Sequence, residues 1–268
     1  MRAVSRIAVS VFRESVRDRV PYNLVLFAIL LISSSLLLGQ LTAGQDVKII
    51  KDLGLAATSV FGLFIAIFIG IGLVSKEVDR RSIYALLAKP ISRSQFIAGK
   101  YAGLVLTLAV NIAVMTLALY AVLGYMTWRT PGELKAVWDA PGMDPALMKA
   151  VFLTFVQLML ITAIALFFST FSSPLLSASL TLALYVVGQF NADLRNFDAV
   201  VSSPMAARLA RGVYHVVPDL SAFDVKMQVV HGLPVTAGYV VMTTAYGLLY
   251  IAAILLVATF IFSRRDFK

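Results

Sequence analysis

The chain has 268 residues, 60% of them hydrophobic and only 14% charged, with a formal net charge of +9. Soluble domains carry about 45–50% apolar and about 25% charged residues, so a water-soluble fold is excluded. With no cysteine and two histidines, His215 and His231, disulfide frameworks, thiolate metal sites and cysteine nucleophiles are excluded as well.

The first twenty residues read as an amphipathic helix. Ile7, Ala8, Val11, Phe12 and Val16 recur at helical spacing, while Arg6, Arg13, Glu14, Arg17 and Asp18 lie mostly elsewhere on the wheel. Such a helix lies in a membrane interface, the alternative being a soluble helix docked on a partner, and Pro21 stops or kinks it. The basic region and the apolar run behind it are each about 20 residues, too long for a cleaved signal peptide, so a retained first span is expected.

Uncharged apolar runs long enough to cross a bilayer as helices follow at Tyr22–Leu41, Leu53–Ser75, Tyr101–Tyr125, Ala150–Phe171, Pro174–Ala192 and Thr236–Phe262. Only the start of the second, Leu53 to Ser59, is weakly apolar. No internal repeat, low-complexity tract or break in composition interrupts the series. The expected architecture is therefore one all-α integral membrane domain over residues 1–268, with six transmembrane helices and both termini on one side.

Between these runs, Thr130-Pro131-Gly132-Glu133 has capping-box spacing, and Asp144-Pro145 reads as an N-cap with proline at the first helical position. Residues 193–235 are too long a connection for a bare linker, and a short helix is expected there after Ser203-Pro204, from Met205 to Val213. That loop is expected to be external and partly helical.

Charge orients the chain. With the N-terminus inside, the cytoplasmic segments hold fourteen of the 23 basic residues: Arg2, Arg6, Arg13, Arg17, Arg19, Lys76, Arg80, Arg81, Lys89, Arg93, Lys100, Arg264, Arg265 and Lys268. Of the acidic residues only Glu14, Asp18, Glu77, Asp79 and Asp266 share that side, so the whole net charge is cytoplasmic. The positive-inside rule and anionic lipid account for it, and no nucleic-acid partner is needed.

By this placement no Asp, Glu, Lys, Arg or His lies deep in a span, which argues against proton-coupled carriers and Ser-His intramembrane proteases. No phosphate-cradling G-x-x-x-x-G-K-[ST] is present either, so any uphill transport must draw its energy from another subunit. Asn111, Gln157, Thr181 and Gln189 are the polar span residues of interest, serving either a translocation path or hydrogen bonding between helices. Gly99 and Gly103 have the small-xxx-small spacing of close helix packing. His215 and His231, sixteen residues apart with no cysteine and no neighbouring Met-rich or acidic pair, read as solvent or loop hydrogen-bonders in preference to metal ligands, and no catalytic residue or cofactor site is expected.

The segment between the second and third spans, residues 76–100, carries the most specific pattern. Val78, Ile83, Leu86 and Leu87 can share an apolar helix face, largely apart from Glu77, Arg80, Arg81 and Ser82, and Pro90 ends that helix. An acidic residue (Glu77), a Ser (Ser82), a Leu pair (Leu86, Leu87), the turn Pro90-Ile91-Ser92-Arg93, an aromatic (Phe96) and Gly99-Lys100 together resemble the first cytoplasmic loop of ABC-2 type permeases. Arg81 departs from the glycine many relatives have there. The turn Phe168 to Leu176, with Ser173 as N-cap before Pro174, and the basic-aromatic ending Phe262 to Phe267 are similar to the same family. The likeness covers essentially the whole chain and is nearest to bacterial permeases of the copper-enzyme-maturation type, a label that does not establish a copper substrate.

The resemblance implies a non-catalytic transmembrane subunit, forming a homodimer and working with two copies of a separate ABC ATPase that binds ATP and Mg. It implies a cytoplasmic coupling helix, with Glu77, Arg80, Arg81, Ser82 and Leu86 touching the ATPase and Pro90 and Arg93 holding that helix against the interfacial helix and lipid head groups. A bacterial inner-membrane location, with export or mechanical signalling to an external partner protein, follows as an expectation. A non-transporting membrane scaffold or assembly factor is the competing class.

Overall fold

Helix boundaries follow local chemistry in the computed structural model, which describes residues 2–17, 19–39, 46–79, 92–136, 138, 140–191, 212, 214 and 216–264. The helices are α1 (Arg2–Arg17), α2 (Arg19–Gly39), α3 (Asp46–Asp79), α4 (Arg93–Arg129), α5 (Gly132–Lys135), α6 (Ala146–Ser169), α7 (Pro174–Gln189), α8 (Lys226–Val230) and α9 (Ala237–Arg264), with a 3-10 turn at Ser221–Phe223. No strand occurs among the described residues.

The amphipathic reading of α1 matches its burial: Val11 is buried and Ile7, Ala8, Phe12 and Val16 are half-buried, while Arg6, Arg13, Glu14 and Arg17 are exposed. The α1–α2 pair bends by 62°. Proline lacks the N–H that would bond the carbonyl four residues back, and its ring crowds that carbonyl; for Pro21 the affected group is Arg17, where α1 ends.

α4 begins at Arg93, eight residues before the expected start of the third span at Tyr101. The cause is a capping box: the Gln95 backbone N–H donates to Ser92 Oγ at 3.3 Å, and the Ser92 N–H donates to Gln95 Oε1 at 3.3 Å. Residues 93–100 are thus helix, and α3 likewise runs on to Asp79. The expected coupling helix falls mainly on residues 80–91, outside the described residues, and so does the short helix expected from Met205 to Val213, apart from Gly212.

Other caps were legible in part. Asp144 Oδ1 accepts from the Ala146 N–H at 2.8 Å, opening α6, and Ser173 with Pro174 opens α7. Thr236 Oγ1 accepts from the Tyr239 N–H at 3.2 Å and opens α9. The capping box expected at Thr130 does not form: Thr130 Oγ1 donates back to the Met126 carbonyl at 2.8 Å, closing α4, and α5 has no side-chain cap.

Among the described residues four helices are long and apolar enough to cross a membrane: α4, α6, α9 and α3 over Asp46–Ile71. The bent α1–α2 pair makes a fifth when taken together, and α7 is a shorter apolar helix. α6 is the central element, packed against α3, α4, α7, α8 and α9, with Leu147, Leu153, Leu160, Ile161 and Leu166 almost fully buried. α9 lies at the periphery, and Val241, Met242, Leu249 and Leu256 on it are exposed apolar side chains of the kind that face lipid.

Candidate functional site

Two clusters stand at opposite ends of the bundle, and α9 contributes to both. At one end, the start of α4 meets α1 and the end of α9. Gly99 and Gly103 are the point of closest approach of α1. A Cβ at Gly99 would stand 2.8 Å from Ile7 Cβ, and one at Gly103 would stand 2.6 Å from the Ala8 carbonyl oxygen. Small residues let backbones approach this closely where lipid supplies no hydrophobic drive for packing. The small-xxx-small spacing read in the sequence therefore seats the N-terminal helix.

Arg93 bridges to the far end of the chain. Its Nη1 donates to the carbonyl of Phe262 at 3.1 Å and to that of Ser263. Both carbonyls belong to the last described turn of α9. A cation at the first turn of α4 opposes that helix's own dipole, whereas it complements the C-terminal end of α9. Among the described residues Arg93 is thus anchored to the end of α9. One turn on, the Phe96 ring stacks on Phe262 at 5.7 Å between centroids, 18° from parallel. The buried Lys100 ammonium lies 4.7 Å from the Phe96 centroid. Phe96 and Phe262 were not singled out as a pair in the sequence, and nothing local links positions so far apart.

The coupling residues stand as follows. Glu77 lies in the last turn of α3, with its side chain outside the described residues; Arg80, Arg81, Ser82, Leu86 and Pro90 are outside them altogether. Arg93 alone of that set has a described side chain.

The opposite end is closed by the chain itself. Residues 217–235, expected as external loop, sink into the bundle: Leu220, Phe223, Val225, Val229 and Val230 are all buried. Burying a connection requires partners for its backbone, and the surrounding helices supply them. The Gln157 amide of α6 donates to the Leu220 carbonyl at 3.0 Å, and the Leu220 N–H donates to the Gly188 carbonyl of α7 at 3.0 Å. Asn191 Nδ2 donates to the Val217 carbonyl at 2.9 Å. From α9, the Tyr246 hydroxyl accepts from the Asp219 N–H at 2.8 Å and the Tyr239 hydroxyl donates to the Ala222 carbonyl at 2.6 Å. Lys149 Nζ donates to the Val235 carbonyl at 2.7 Å. Lys226 Nζ reaches Ser59 Oγ at 3.1 Å and pairs with Asp224 at 3.3 Å. Leu220 sits directly on Gly188, where a Cβ would stand 2.7 Å from Leu220 Cδ1.

Gln157 is thus brought into this cluster, and the other three polar span residues are not. Asn111 Nδ2 donates to the Thr107 carbonyl at 2.7 Å and the buried Thr181 Oγ1 to the Ser177 carbonyl at 2.7 Å, both within their own helices. Gln189, half-buried, meets the Tyr185 hydroxyl one turn back. Lys51 and Lys100, placed outside the spans by sequence, are buried within the first two turns of α3 and α4, because both helices start earlier than expected. The Lys51 ammonium donates to the Pro141 carbonyl at 2.7 Å. His231 Nδ1 contacts the Met227 carbonyl at 3.0 Å, His215 is outside the described residues, and among the described residues no three His, Cys, Asp or Glu side chains converge.

From residue 7 to residue 267 the chain matches the family model described as ABC-2 family transporter protein. The chain belongs to the ABC-2 transporter family. No curated protein matches it. As an ABC-2 family protein it is a multi-pass membrane protein of the permease type, generally a non-catalytic subunit with an ABC ATPase as its partner. The match runs through both clusters, so the ABC-2 assignment covers the α1–α4–α9 junction and the seated segment alike.

Proposed function

We propose that this chain is the permease subunit of an ATP-driven transporter, in which a separate ABC ATPase docks on the segment after α3 and moves the helix bundle through the start of α4. Glu77, Arg80, Arg81, Ser82 and Leu86 make the ATPase contact, Pro90 ends the coupling helix, and Arg93 passes its displacement to α9. One observation carries this reading: Arg93 and Phe96, in the first turn after the coupling segment, are tied to Phe262 and Ser263 at the end of α9. A pull on that segment then acts on two membrane helices and on α1 together.

In this reading α2 and α7 complete six spans, both termini face the cytoplasm of a bacterial inner membrane, and α1 rests at the lipid interface. Two permease copies pair with two ATPase subunits, which bind the ATP and Mg. Gln157 serves as a latch on the seated segment, released when α6 and α9 shift; Asn111, Thr181 and Gln189 are the candidates for the path itself. The output is export, or force transmitted to an external partner protein.

The test is co-expression with a candidate ABC ATPase from the same genome, the first choice being any encoded beside this chain. Glu77→Ala and Arg80→Ala are expected to lose ATPase capture on the tagged permease. Arg93→Ala is expected to keep capture and to lose stimulation of ATP hydrolysis. Capture and stimulation unchanged in all three variants would refute the coupling role, and no capture by the parent chain would favour the scaffold class.

A further inference from the structure

α1 presents three faces, one after another around its axis. At about 3.6 residues per turn, Val4, Ala8, Val11 and Ser15 share one side. That side meets α4, where Val11 and the Val4 and Ala8 carbonyls close on Gly99 and Gly103. Next around the helix come Phe12 and Val16, both half-buried, and Val9, 44% exposed. Then come Arg6, Arg13 and Arg17, all exposed and within about 40° of one another on the wheel. They form a stripe about 16 Å long turned away from α4, and Glu14 lies off it.

The order of these faces selects the partner. An apolar strip directly beside a basic one suits a bilayer surface: the acyl region takes Val9, Phe12 and Val16, while the arginines reach the head groups and keep their charge in water. An acidic protein surface would match the arginines and leave the apolar strip against polar groups. The path of the chain agrees. α2 carries the exposed side chains Leu26, Phe27, Leu30 and Leu31, of the kind that face lipid, and α1 leaves its line by 62°. With α2 upright in a bilayer, α1 runs closer to the membrane plane than to its normal.

Head-group chemistry narrows the choice further. A guanidinium offers paired N–H donors that match phosphate oxygens. A zwitterionic lipid returns a cation beside each phosphate, whereas an anionic lipid leaves net charge for the stripe to neutralise.

We propose that the Arg6–Arg13–Arg17 stripe is a docking surface for anionic phospholipid, which collects along α1 in preference to zwitterionic lipid. The proposal rests on the reading of α1 as an interfacial helix and is independent of the ATPase contact. Because α1 is seated on Gly99 and Gly103, head groups held by the stripe fix the height of the start of α4 in the bilayer.

The test uses the full chain with one bimane-labelled cysteine, Ser10→Cys, exposed beside the stripe. Nanodiscs contain equal parts of phosphatidylcholine and phosphatidylglycerol, with a nitroxide high on the acyl chain of one lipid or the other. Quenching is expected to show a local preference for phosphatidylglycerol of at least about fivefold, the factor that a single basic residue near an anionic surface contributes. In molar salt, where screening shortens to about 3 Å, the preference is expected to fall. Glutamine at all three arginines is expected to abolish it, lysine at all three to keep most of it, and Arg13→Gln alone to reduce it. Quenching by both lipids without preference would overturn the proposal and leave α1 at the interface. No quenching by either lipid would remove the interfacial reading as well. A full preference in the triple glutamine variant, with a melting transition like the parent's, would place its origin elsewhere and overturn the proposal.

Discussion

Replacing Gln157 by Met isolates the seating of the 217–235 segment. Methionine keeps nearly the same length and volume, so packing around α6 is conserved, but the donor to the Leu220 carbonyl is lost. Leu220 is 0% exposed, and water cannot replace that donor without opening the segment. A buried acceptor left unpaired costs about 1–3 kcal/mol, which is about 5–150-fold in the open-to-closed ratio of the segment. Hydrogen exchange of the purified protein in nanodiscs reads this directly. Amides from Leu220 to Val230 are expected to lose protection by that factor, while those in the middle of α6 keep theirs. Leu220→Ala perturbs the same contact from the other side, at about 2–5 kcal/mol for a buried leucine, and the double variant is expected to cost less than the sum of the singles. Unchanged exchange over Leu220–Val230 in Gln157→Met, or full additivity in the double variant, would refute the claim that Gln157 holds this segment.

Gly103→Val places a branched side chain where even a Cβ would stand 2.6 Å from the Ala8 carbonyl oxygen, so a loss of about 1–3 kcal/mol is expected, read as a lower melting temperature. Gly124→Ala is its control: the nearest atom to a new Cβ is Met143 Sδ at 3.8 Å, so that substitution is expected to be neutral or slightly stabilising. The Phe96–Phe262 stack is expected to show a coupling of about 0.5–1.5 kcal/mol in a Phe→Ala double-mutant cycle followed by thermal unfolding; zero coupling would mean the rings pack independently. Because the chain has no cysteine, single cysteines report topology without background. Cysteine at the exposed Ser10 is expected to resist a membrane-impermeant maleimide in intact cells and cysteine at the exposed Glu133 to react; the reverse pattern would overturn the charge-based orientation.

The sequence by itself determined the class of the protein and a few of its helix ends. Membrane helices satisfy their backbones internally and announce themselves by uninterrupted apolar length, and caps such as Asp144 and Ser173 act within a few residues. The Ser92–Gln95 box is equally legible as S-x-x-Q, although the uncharged apolar run itself begins only after Lys100. Gly99 and Gly103 were visible as a packing stripe without a stated partner. Only the tertiary structure supplied that partner, α1. It also decided that Arg93 meets the end of α9, that Phe96 lies on Phe262, and that Gln157 holds Leu220. Each of these joins positions far apart in sequence, where composition and periodicity carry no information about who meets whom. The seated segment is the clearest case. Its short apolar stretch from Leu220 to Val230 looks like loop, because neither a helical nor a strand period develops over so few residues. Its burial becomes affordable only where Gln157, Asn191, Tyr239 and Tyr246, from three different parts of the chain, converge on its backbone.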